Sequence, residues 1–369
     1  MPTLGKRIIT VILIVLALIL MNQYMSDEGL FGFGVPPYYA RVIMLAGINV
    51  ILAVSLNLIT GFTGQFSIGH AGFMAVGAYS SAYLTVYYAQ AWERSLAGLT
   101  GATVAHALIF VLAILVGALV AAIAGLLVGI PSLRLRGDYL AIVTLGFAEI
   151  IRIVILNIDA VGGATGFTVP GYTNFLWVGA FCVITIVIVY NIVHSDTGRS
   201  LISIREDELA AEAMGINTTR YKVLSFVISS ALAGMAGVLF GHYTQFLSTN
   251  DFQFIRSFEI IIMIVLGGMG SLTGAVFGAI VITILPEFLR QLPGDFSKYR
   301  LVVYSALLIV IMLTRPQGIL GTREFGLSWL KRPQRRPEGD KAVGDTKGVP
   351  IAQSGSTRAK DHNQEADNR

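Results

Sequence analysis

The sequence predicts an all-α polytopic membrane protein with about ten transmembrane helices. Hydrophobic residues make up 54% of the 369 residues and charged residues only 13%, about half the charged fraction of a soluble domain. The mean hydropathy is +0.71. Several apolar runs approach or exceed the roughly 20 residues that cross a bilayer. The net charge of +4 is therefore not a sign of nucleic-acid binding, because basic residues in membrane proteins mostly report topology.

The ten predicted spans are separated by polar, glycine-rich or proline-containing turns. The first lies within residues 1–22, and we interpret it as an uncleaved helix because no small-residue cleavage pattern follows its apolar run. Pro131 is expected to end the fourth span, and the short eighth and tenth spans are either full crossings or re-entrant segments. Residues 315–369 form a basic tail that is expected to be largely disordered beyond residue 331. The nine later spans lie within a membrane domain at residues 40–314, at 40–60, 66–89, 104–130, 139–157, 175–194, 223–246, 258–266, 272–289 and 301–314.

The distribution of basic residues predicts the orientation of these spans. An even number of spans places both termini on the same side of the membrane. The loops on the opposite side carry few basic residues, chiefly Arg94, Arg256 and Lys298. By the positive-inside rule, both termini are cytoplasmic. The predicted cytoplasmic side carries Lys6, Arg7, Arg134, Arg136, Arg199, Arg205, Arg220, Lys222 and the 11 basic residues after Thr314.

A glycine-rich stretch at residues 61–79 carries the polar residues Gln65, Ser67 and His70 among five glycines. Irregular backbone at membrane depth is tolerated only where it is buried in protein or lines a cavity. A similar glycine pattern at residues 267–278 indicates two structurally related halves, as in many transporters. The three polar side chains are therefore candidates for a translocation path.

Glu149 and Arg152 lie near mid-depth in the fifth span, three residues apart and hence on one helix face. Charged residues within spans tend to face a cavity or a partner. The alternative is a self-neutralising pair that keeps the helix insertable. The pair is a second candidate for the translocation path, and both interpretations stay open at this point.

No motif of an enzyme active site or a cofactor site is visible. The sequence lacks the GxxxxGK[ST] motif, so the chain is not expected to bind ATP through a P-loop. HExxH, GxSxG and CxxC are absent as well. His70, His106 and His242 have no ligand spacing, so no metal site is predicted. Cys182, the single cysteine, lies in an apolar run and is interpreted as a packing residue.

Residues 203–220 form a long, charged, helix-forming segment between strongly apolar spans. Ser203 and Glu206 have the spacing of a capping box, which predicts a helix of about 11 residues beginning at Ser203. Gly215 can adopt the left-handed conformation that ends a helix. Asn217 or Thr218 can cap the next helix. The segment is either a solvated loop helix or a surface that another protein approaches closely over small alanines.

Four stretches closely resemble the M-type permease subunit of bacterial branched-chain amino acid ABC importers. They occur in the order of that family, and the resemblance covers about residues 40–320. The stretches are SLNLITGFTGQFSIGHAGFMAVGAY at 55–79, LRLRGDYLAIVTLGFAEIIRI at 133–153, IREDELAAEAMGINTTRYKVLSFVIS at 204–229 and IVLGGMGSLTGAVFGA at 264–279.

The resemblance implies that residues 40–314 form a permease domain with a type II-like ABC importer core. Such a protein translocates Leu, Ile or Val across the bacterial inner membrane and is not itself an enzyme. The implied partners are a second homologous permease subunit, two ABC ATPase subunits that hydrolyse ATP, and a periplasmic substrate-binding protein. Membrane lipid surrounds the chain, and neither a cofactor nor a nucleic acid is implied.

The resemblance also implies that a coupling helix at about residues 203–215 docks on the ATPase. ABC permeases generally carry Glu-Ala-Ala, three further residues and Gly in this helix. Ala210, Ala211 and Gly215 fit that pattern, whereas Leu209 occupies the glutamate position. The implied docking residues are Glu208, Ala210, Ala211, Glu212 and Gly215.

Two alternatives stay open on the sequence alone. A permease of the same family can carry urea, amides or another amino acid. A secondary transporter or a channel is an alternative from a different class, and neither would need a helix that docks on an ATPase. The candidate polar groups of the translocation path are Gln65, Ser67, His70, Glu149 and Arg152.

Overall fold

The computed structural model describes residues 16–24, 36–89, 91–93, 101–133, 135 and 137–291, with isolated positions between 305 and 321. The predicted first span is described only from residue 16, and residues 16–24 are helical. Most of the predicted tenth span and the basic tail beyond residue 321 lie outside the described residues. So do Lys6, Arg7, Arg94, Arg134, Arg136 and Lys298.

From residue 36 onward, the described chain is built almost entirely from α-helices. These are α1 (Pro37–Asn57), α2 (His70–Tyr87), α3 (Ala102–Ser132), α4 (Asp138–Leu156), α5 (Phe175–Val193), α6 (Asp196–Glu206), α7 (Glu208–Ala213), α8 (Thr218–Thr244), α9 (Phe254–Gly267) and α10 (Leu272–Gln291). Short 3₁₀ turns occur at Asp159–Val161, Gly163–Thr165 and Thr249–Phe252.

Two features depart from the predicted elements. The first is a two-residue antiparallel ladder between two loops, in which β1 (Phe167–Thr168) pairs with β2 (Phe246–Leu247). The backbone of these loops satisfies part of its hydrogen-bonding capacity in this way, and the predicted all-α class is unchanged by it. The second is that α3 contains Pro131 and ends at Ser132, so the prediction that Pro131 ends the fourth span is wrong.

Within the described residues, six helices are long and apolar enough to cross a membrane. They are α1 with the turn that follows it, α3, α4, α5, α8 and α10. The predicted eighth span corresponds to α9, which has 14 residues and is therefore about 21 Å long. This length is less than the roughly 30 Å of a bilayer core. These six helices do not confirm the predicted count of ten.

Helix α8 lies at the centre and packs against α1, α2 and α3. A Cβ on Gly77 of α2 would overlap the backbone of Gly234 in α8. A Cβ on Gly237 of α8 would likewise overlap the carbonyl of Met74. Small residues at contacts of this kind let membrane helices approach closely. These glycines therefore hold α2 and α8 together.

A π-helical turn at Leu58–Phe62 extends α1, and residues 63–69 then connect it to α2 without helix. The predicted third span therefore begins its helix at His70, four residues later than expected. Gly64 takes φ +75° in this connection, a conformation that glycine adopts without steric cost. The irregular backbone leads Gln65 and Ser67 into the protein, where both side chains are buried.

Candidate functional site

The segment between α5 and α8, residues 196–217, is called the charged segment below, and it folds as two helices. Ser195 caps α6 through a hydrogen bond from the N–H of Gly198, so Ser203 lies inside that helix. The Ser203 hydroxyl donates to the carbonyl of Ser200 at 2.8 Å. The predicted capping box of Ser203 and Glu206 is therefore wrong.

Asp207 begins the second helix of the charged segment. Its extended backbone ends α6, and its carboxylate accepts hydrogen bonds from the N–H groups of Leu209 at 2.9 Å and Ala210 at 3.0 Å. Two donors that a helix start leaves unpaired are satisfied in this way. The predicted helix of about 11 residues beginning at Ser203 is therefore wrong, and α7 has six residues.

The end of α7 follows the prediction. Gly215 takes φ +84° and donates to the carbonyl of Glu212 at 2.9 Å, while the N–H of Ile216 donates to the carbonyl of Ala211 at 3.1 Å. These two bonds form a Schellman motif. The predicted cap of the next helix is also confirmed, because the side chain of Asn217 accepts from the N–H of Arg220 at 3.0 Å.

The surface of α7 carries exposed apolar side chains. Leu209 is 65% exposed and Met214 is 83% exposed. The implied docking residues Ala210, Glu212 and Gly215 are also exposed. Ala211 is only 4% exposed and lies on the inner side of the helix. Sequence reasoning missed Leu209 and Met214 as surface candidates, although two large apolar residues within a charged stretch were a usable signal.

Two contacts hold α7 against α8. The ammonium group of Lys222 lies 2.6 Å from Oε2 of Glu208, and the lysine side chain is only 8% exposed. The hydroxyl of Thr218 donates to Oε1 of Glu212 at 2.7 Å. A buried charge is costly unless it is paired, so Glu208 is the group that makes the buried position of Lys222 tolerable.

Arg205 connects α6 to both glycine-rich stretches. Its guanidinium donates to the carbonyl of Gly61 at 2.8 Å, and a Cβ on Gly270 would lie 2.6 Å from Arg205 Nη1. Asn57, the last residue of α1, binds the second stretch, since its amide donates to the carbonyl of Ser271 at 2.9 Å and its oxygen accepts from the N–H of Gly270 at 3.0 Å. A Cβ on Gly61 would lie 2.5 Å from the nitrogen of Gly270. The two stretches that look alike in sequence therefore meet beside the charged segment.

His70 lies at the start of α2 and is 1% exposed. Its Nε2 is 2.8 Å from the hydroxyl of Ser55 in α1. The hydroxyl of Ser229 in α8 donates to the carbonyl of Ser55. His70 therefore belongs to a buried polar contact between α1, α2 and α8. Within the described part of the chain, no group of three or more His, Cys, Asp and Glu side chains is arranged to hold a metal ion.

Glu149 and Arg152 form the ion pair that their spacing suggests. Arg152 Nε lies 2.7 Å from Glu149 Oε2, with side chains 22% and 25% exposed respectively. The other carboxylate oxygen of Glu149 accepts from the N–H of Phe254 at 3.1 Å. Phe254 is the first residue of α9, so the carboxylate lies at the positive end of that helix. The structure therefore places this pair at the start of α9, whereas Gln65 lies beside the charged segment.

On the translocation-path hypothesis, we expect Glu149→Gln to lower substrate uptake more than it lowers the amount of this chain in the membrane. The amide still accepts from Phe254 but leaves Arg152 without its anion, and hydrogen bonds to charged groups contribute about 1.5–3 kcal/mol. The measurement is uptake into vesicles, normalised to permease abundance. Arg152→Met combined with Glu149→Gln is the control, and it should recover part of the loss. Wild-type uptake by Glu149→Gln would mean that the pair only neutralises charge.

The comparisons with known proteins agree on one family. Residues 38–312 match the family described as the permease component of branched-chain amino acid transport systems. The chain is 32% identical over 334 residues to the high-affinity branched-chain amino acid transport system permease protein LivM of Salmonella typhimurium. This alignment covers 81% of this chain and 72% of that protein. LivM of Escherichia coli is 32% identical over 337 residues, and the alignment covers 82% of this chain and 72% of that protein.

A shorter match reaches a second kind of permease. LivH of Escherichia coli is 34% identical over 149 residues, which is 40% of this chain and 47% of that protein. A solved structure of a metal-chelate type ABC transporter, at 14% identity and a TM-score of 0.40, covers 84% of this chain and 99% of that chain. This score is too low to support an inference about helix arrangement. The chain belongs to the family of permease components of branched-chain amino acid transport systems, as the match over residues 38–312 and the two LivM relatives show.

Proposed function

We propose that this chain is one of two homologous permease subunits that form the pathway of an ABC importer for branched-chain amino acids. Family membership and the names of the LivM and LivH relatives support the cargo and the permease pair. The proposed further partners are two ABC ATPase subunits and a periplasmic substrate-binding protein. The proposed location is the bacterial inner membrane, and the proposed core is type II-like.

The observation that carries the proposal is the exposed apolar surface of α7. Leu209 and Met214 stand out from a helix that is fixed to the body of the protein. Apolar patches rimmed by polar residues mark protein–protein contact sites, and we propose that these two side chains belong to such a patch. In this proposal the ATPase covers the outer side of α7, around Ala210, Glu212 and Gly215.

The contacts of the charged segment supply a route from the ATPase to the spans. A displacement of α7 reaches α8 through the Glu208–Lys222 pair. A displacement of α6 reaches both glycine-rich stretches through Arg205. Packed helices with close backbone contacts move as units rather than deforming smoothly, so ATP-driven closure of the ATPases would reorient the spans and alternate access to the pathway.

The proposed path combines apolar helix surfaces with a few polar groups. An aliphatic side chain needs an apolar route, and the amino and carboxylate ends of the cargo need polar partners. Ser67, His70, Glu149 and Arg152 are the proposed polar groups along the route. Gln65 would lie at its inner end, since it borders a cavity beside the charged segment.

Contacts between distant parts of the chain support ten spans with both termini in the cytoplasm. The side chain of Asn22 accepts from the N–H of Leu176 at 3.1 Å, so the end of the first span lies at the start of α5. The N–H of Ile319 donates to the carbonyl of Leu266 at 2.8 Å. The proposed tenth span at residues 301–314 would return the chain to the side of Leu266 after α10, which ends at residue 291.

In the permease expressed without its ATPases, we expect a cysteine at Met214 to react only with reagents added from the cytoplasmic side, and a cysteine at Thr165 only from outside. Both positions are exposed, and the basic residues predict opposite sides for them. The background is Cys182→Ser, which removes the single native cysteine. Labelling of Met214→Cys by an impermeant reagent outside intact cells would contradict the orientation.

The experiment that tests the proposed function is uptake of labelled leucine into vesicles that contain the chain, its partner permease, the two ATPases and the binding protein. Uptake should require ATP and should be reduced by unlabelled isoleucine and valine. Competition by urea or amides instead would assign the chain to another cargo. Uptake without ATPases would identify a secondary transporter or a channel.

A further inference from the structure

The first turns of α9 carry a second ion pair within the membrane domain. Nη1 of Arg256 lies 2.7 Å from Oε2 of Glu259, and Nη2 of Arg256 donates to the side-chain oxygen of Asn49 in α1 at 2.6 Å. The amide nitrogen of Asn49 in turn donates to the hydroxyl of Thr283 in α10 at 2.8 Å. A polar network therefore joins α9 to two spanning helices, and Arg256 belongs to this network rather than to an outer loop.

The position of Asn49 sets the depth of this network. The span that contains it runs from Pro37 to Phe62, and Asn49 lies at the middle of that span. The other ion pair lies at membrane depth as well. Helix α4 ends at Leu156, so Glu149 lies about 10 Å inside that end, where it accepts from the N–H of Phe254 at the start of α9. Both ion pairs are therefore within the spanning part of the protein.

The charged side chains of both pairs are only partly covered by the chain itself. The side chain of Glu259 is 43% exposed and that of Arg256 is 20% exposed. Those of Glu149 and Arg152 are also partly exposed. A charge that faces lipid is costly even when it is paired, and charged residues in spans almost always face protein or a water-filled cavity. This side of the protein is therefore not a lipid-facing surface.

Apolar residues of α9 continue the same surface. Ile255, Phe258 and Glu259 are three and four residues apart and hence share one helix face. Ile255 is 54% exposed and Phe258 is 41% exposed. This face of α9, together with the Glu149–Arg152 pair of α4, is called the α4–α9 surface below. It combines charged groups at membrane depth with large apolar side chains beside them.

Helix α3 shows the contrasting case of a surface that suits lipid. Between residues 107 and 131 it has no polar side chain. Leu115 and Leu119 are each 61% exposed, so the outer side of α3 offers only apolar groups at membrane depth. Lipid tails satisfy such a helix completely. The α4–α9 surface differs from it in needing a protein or water against its charged groups.

We propose that the second permease subunit packs against the α4–α9 surface. The identity of this partner rests on the proposed function. Of the proposed partners, only a second permease spans the membrane, so only it can cover charged groups at this depth. Subunits that pair about a two-fold axis use the same patch on both partners, and a homologous subunit would therefore bring a matching polar surface. The outer side of α3 remains in contact with lipid.

The first test is photo-crosslinking in membranes that contain both permeases, the ATPases and the binding protein. The photoreactive residue benzoyl-phenylalanine replaces Phe258, whose ring is already exposed. The matched control carries it in place of Leu115, which is exposed near the middle of α3. The two permeases carry different tags, so that each protein adduct can be assigned.

We expect position 258 to give an adduct with the second permease and position 115 to give lipid adducts only. Lipid adducts alone from position 258, an adduct of position 258 with another part of the same chain, or an adduct of the second permease with position 115 instead would each overturn the inference.

The second test compares Ile255→Trp with Leu115→Trp. Overpacking of a close contact is destabilising, so Ile255→Trp should lower the fraction of second permease that copurifies in detergent at least about fivefold. Leu115→Trp should copurify like the wild type, because lipid adapts to the larger ring. Wild-type copurification by Ile255→Trp would count against the α4–α9 surface as the contact.

The two proposals fail in different ways. If the wild-type chain copurifies with the second permease but position 258 gives only lipid adducts, the surface is wrong and the permease pair stands. If no second permease copurifies and position 258 gives an adduct between two copies of this chain, the proposed pair of different permeases is wrong, and so is the partner named here.

Discussion

Replacing both Leu209 and Met214 with aspartate is expected to release the ATPase subunits while leaving the permease folded and inserted. The two side chains are 65% and 83% exposed, so no packing within the chain is lost. Burial of a large aliphatic side chain contributes about 1.5–3 kcal/mol. Loss of two such contacts should weaken the complex at least about a hundredfold.

The measurement is the fraction of ATPase that copurifies with the permease in detergent, beside ATP-dependent uptake in vesicles. Ser200→Asp is the control, because it places one new carboxylate on the neighbouring helix α6, where the double variant places two on the docking surface. The control should copurify normally. If the double variant copurified and transported like the wild type, α7 would be only a solvated loop helix, and the importer mechanism would lose its main structural support.

Glu208→Leu is expected to lower the stability of the permease by about 3–5 kcal/mol, the usual cost of leaving a buried charge without its partner. The side chain of Lys222 is 8% exposed, whereas that of Glu208 is 24% exposed. Glu208→Leu should therefore lower the stability of the permease more than Lys222→Met does, because the charged group it leaves unpaired is the more deeply buried one. The double replacement should recover most of the stability.

The stability readout is the temperature at which the purified complex loses its size-exclusion peak. Glu206→Leu is the matched control, because it removes a neighbouring glutamate whose side chain is 67% exposed, and exposed ion pairs contribute only about 0–1 kcal/mol. Equal losses of stability in Glu206→Leu and Glu208→Leu would show that the contact of Glu208 with Lys222 stabilises the permease no more than an exposed ion pair does. The recovered double variant should still transport poorly if the charged contact also transmits motion.

Local sequence patterns predicted the end of α7 and the start of α8 better than the start of α7. Gly215 and Asn217 make their capping hydrogen bonds with residues no more than four positions away, so their residue types alone predicted these two helix boundaries. Asp207 was missed because Ser203 offered an equally good cap. Ser203 is not a cap because α6 begins earlier, after its own cap Ser195, and therefore already contains Ser203.

The long-range contacts of the site could not be predicted from local pattern. Lys222 was counted only as a cytoplasmic charge, since its burial depends on how α7 folds against α8. The bond from Arg205 to the carbonyl of Gly61 joins residues 144 positions apart. The Glu149–Arg152 pair was predictable because both residues lie on one helix, whereas the contact of Glu149 with Phe254 was not.

The shortness of α7 matters for anyone who wants to block this family of importers with a peptide. Isolated helices below about 12–15 residues are marginal in water, and α7 has six. Its shape depends on Asp207, the Gly215 turn and the anchoring lysine of α8. A linear peptide copied from this stretch would be unfolded in solution, and under the proposed docking of α7 it would compete poorly for the ATPase. A useful mimic would need a covalent staple in place of the anchor that the membrane domain provides.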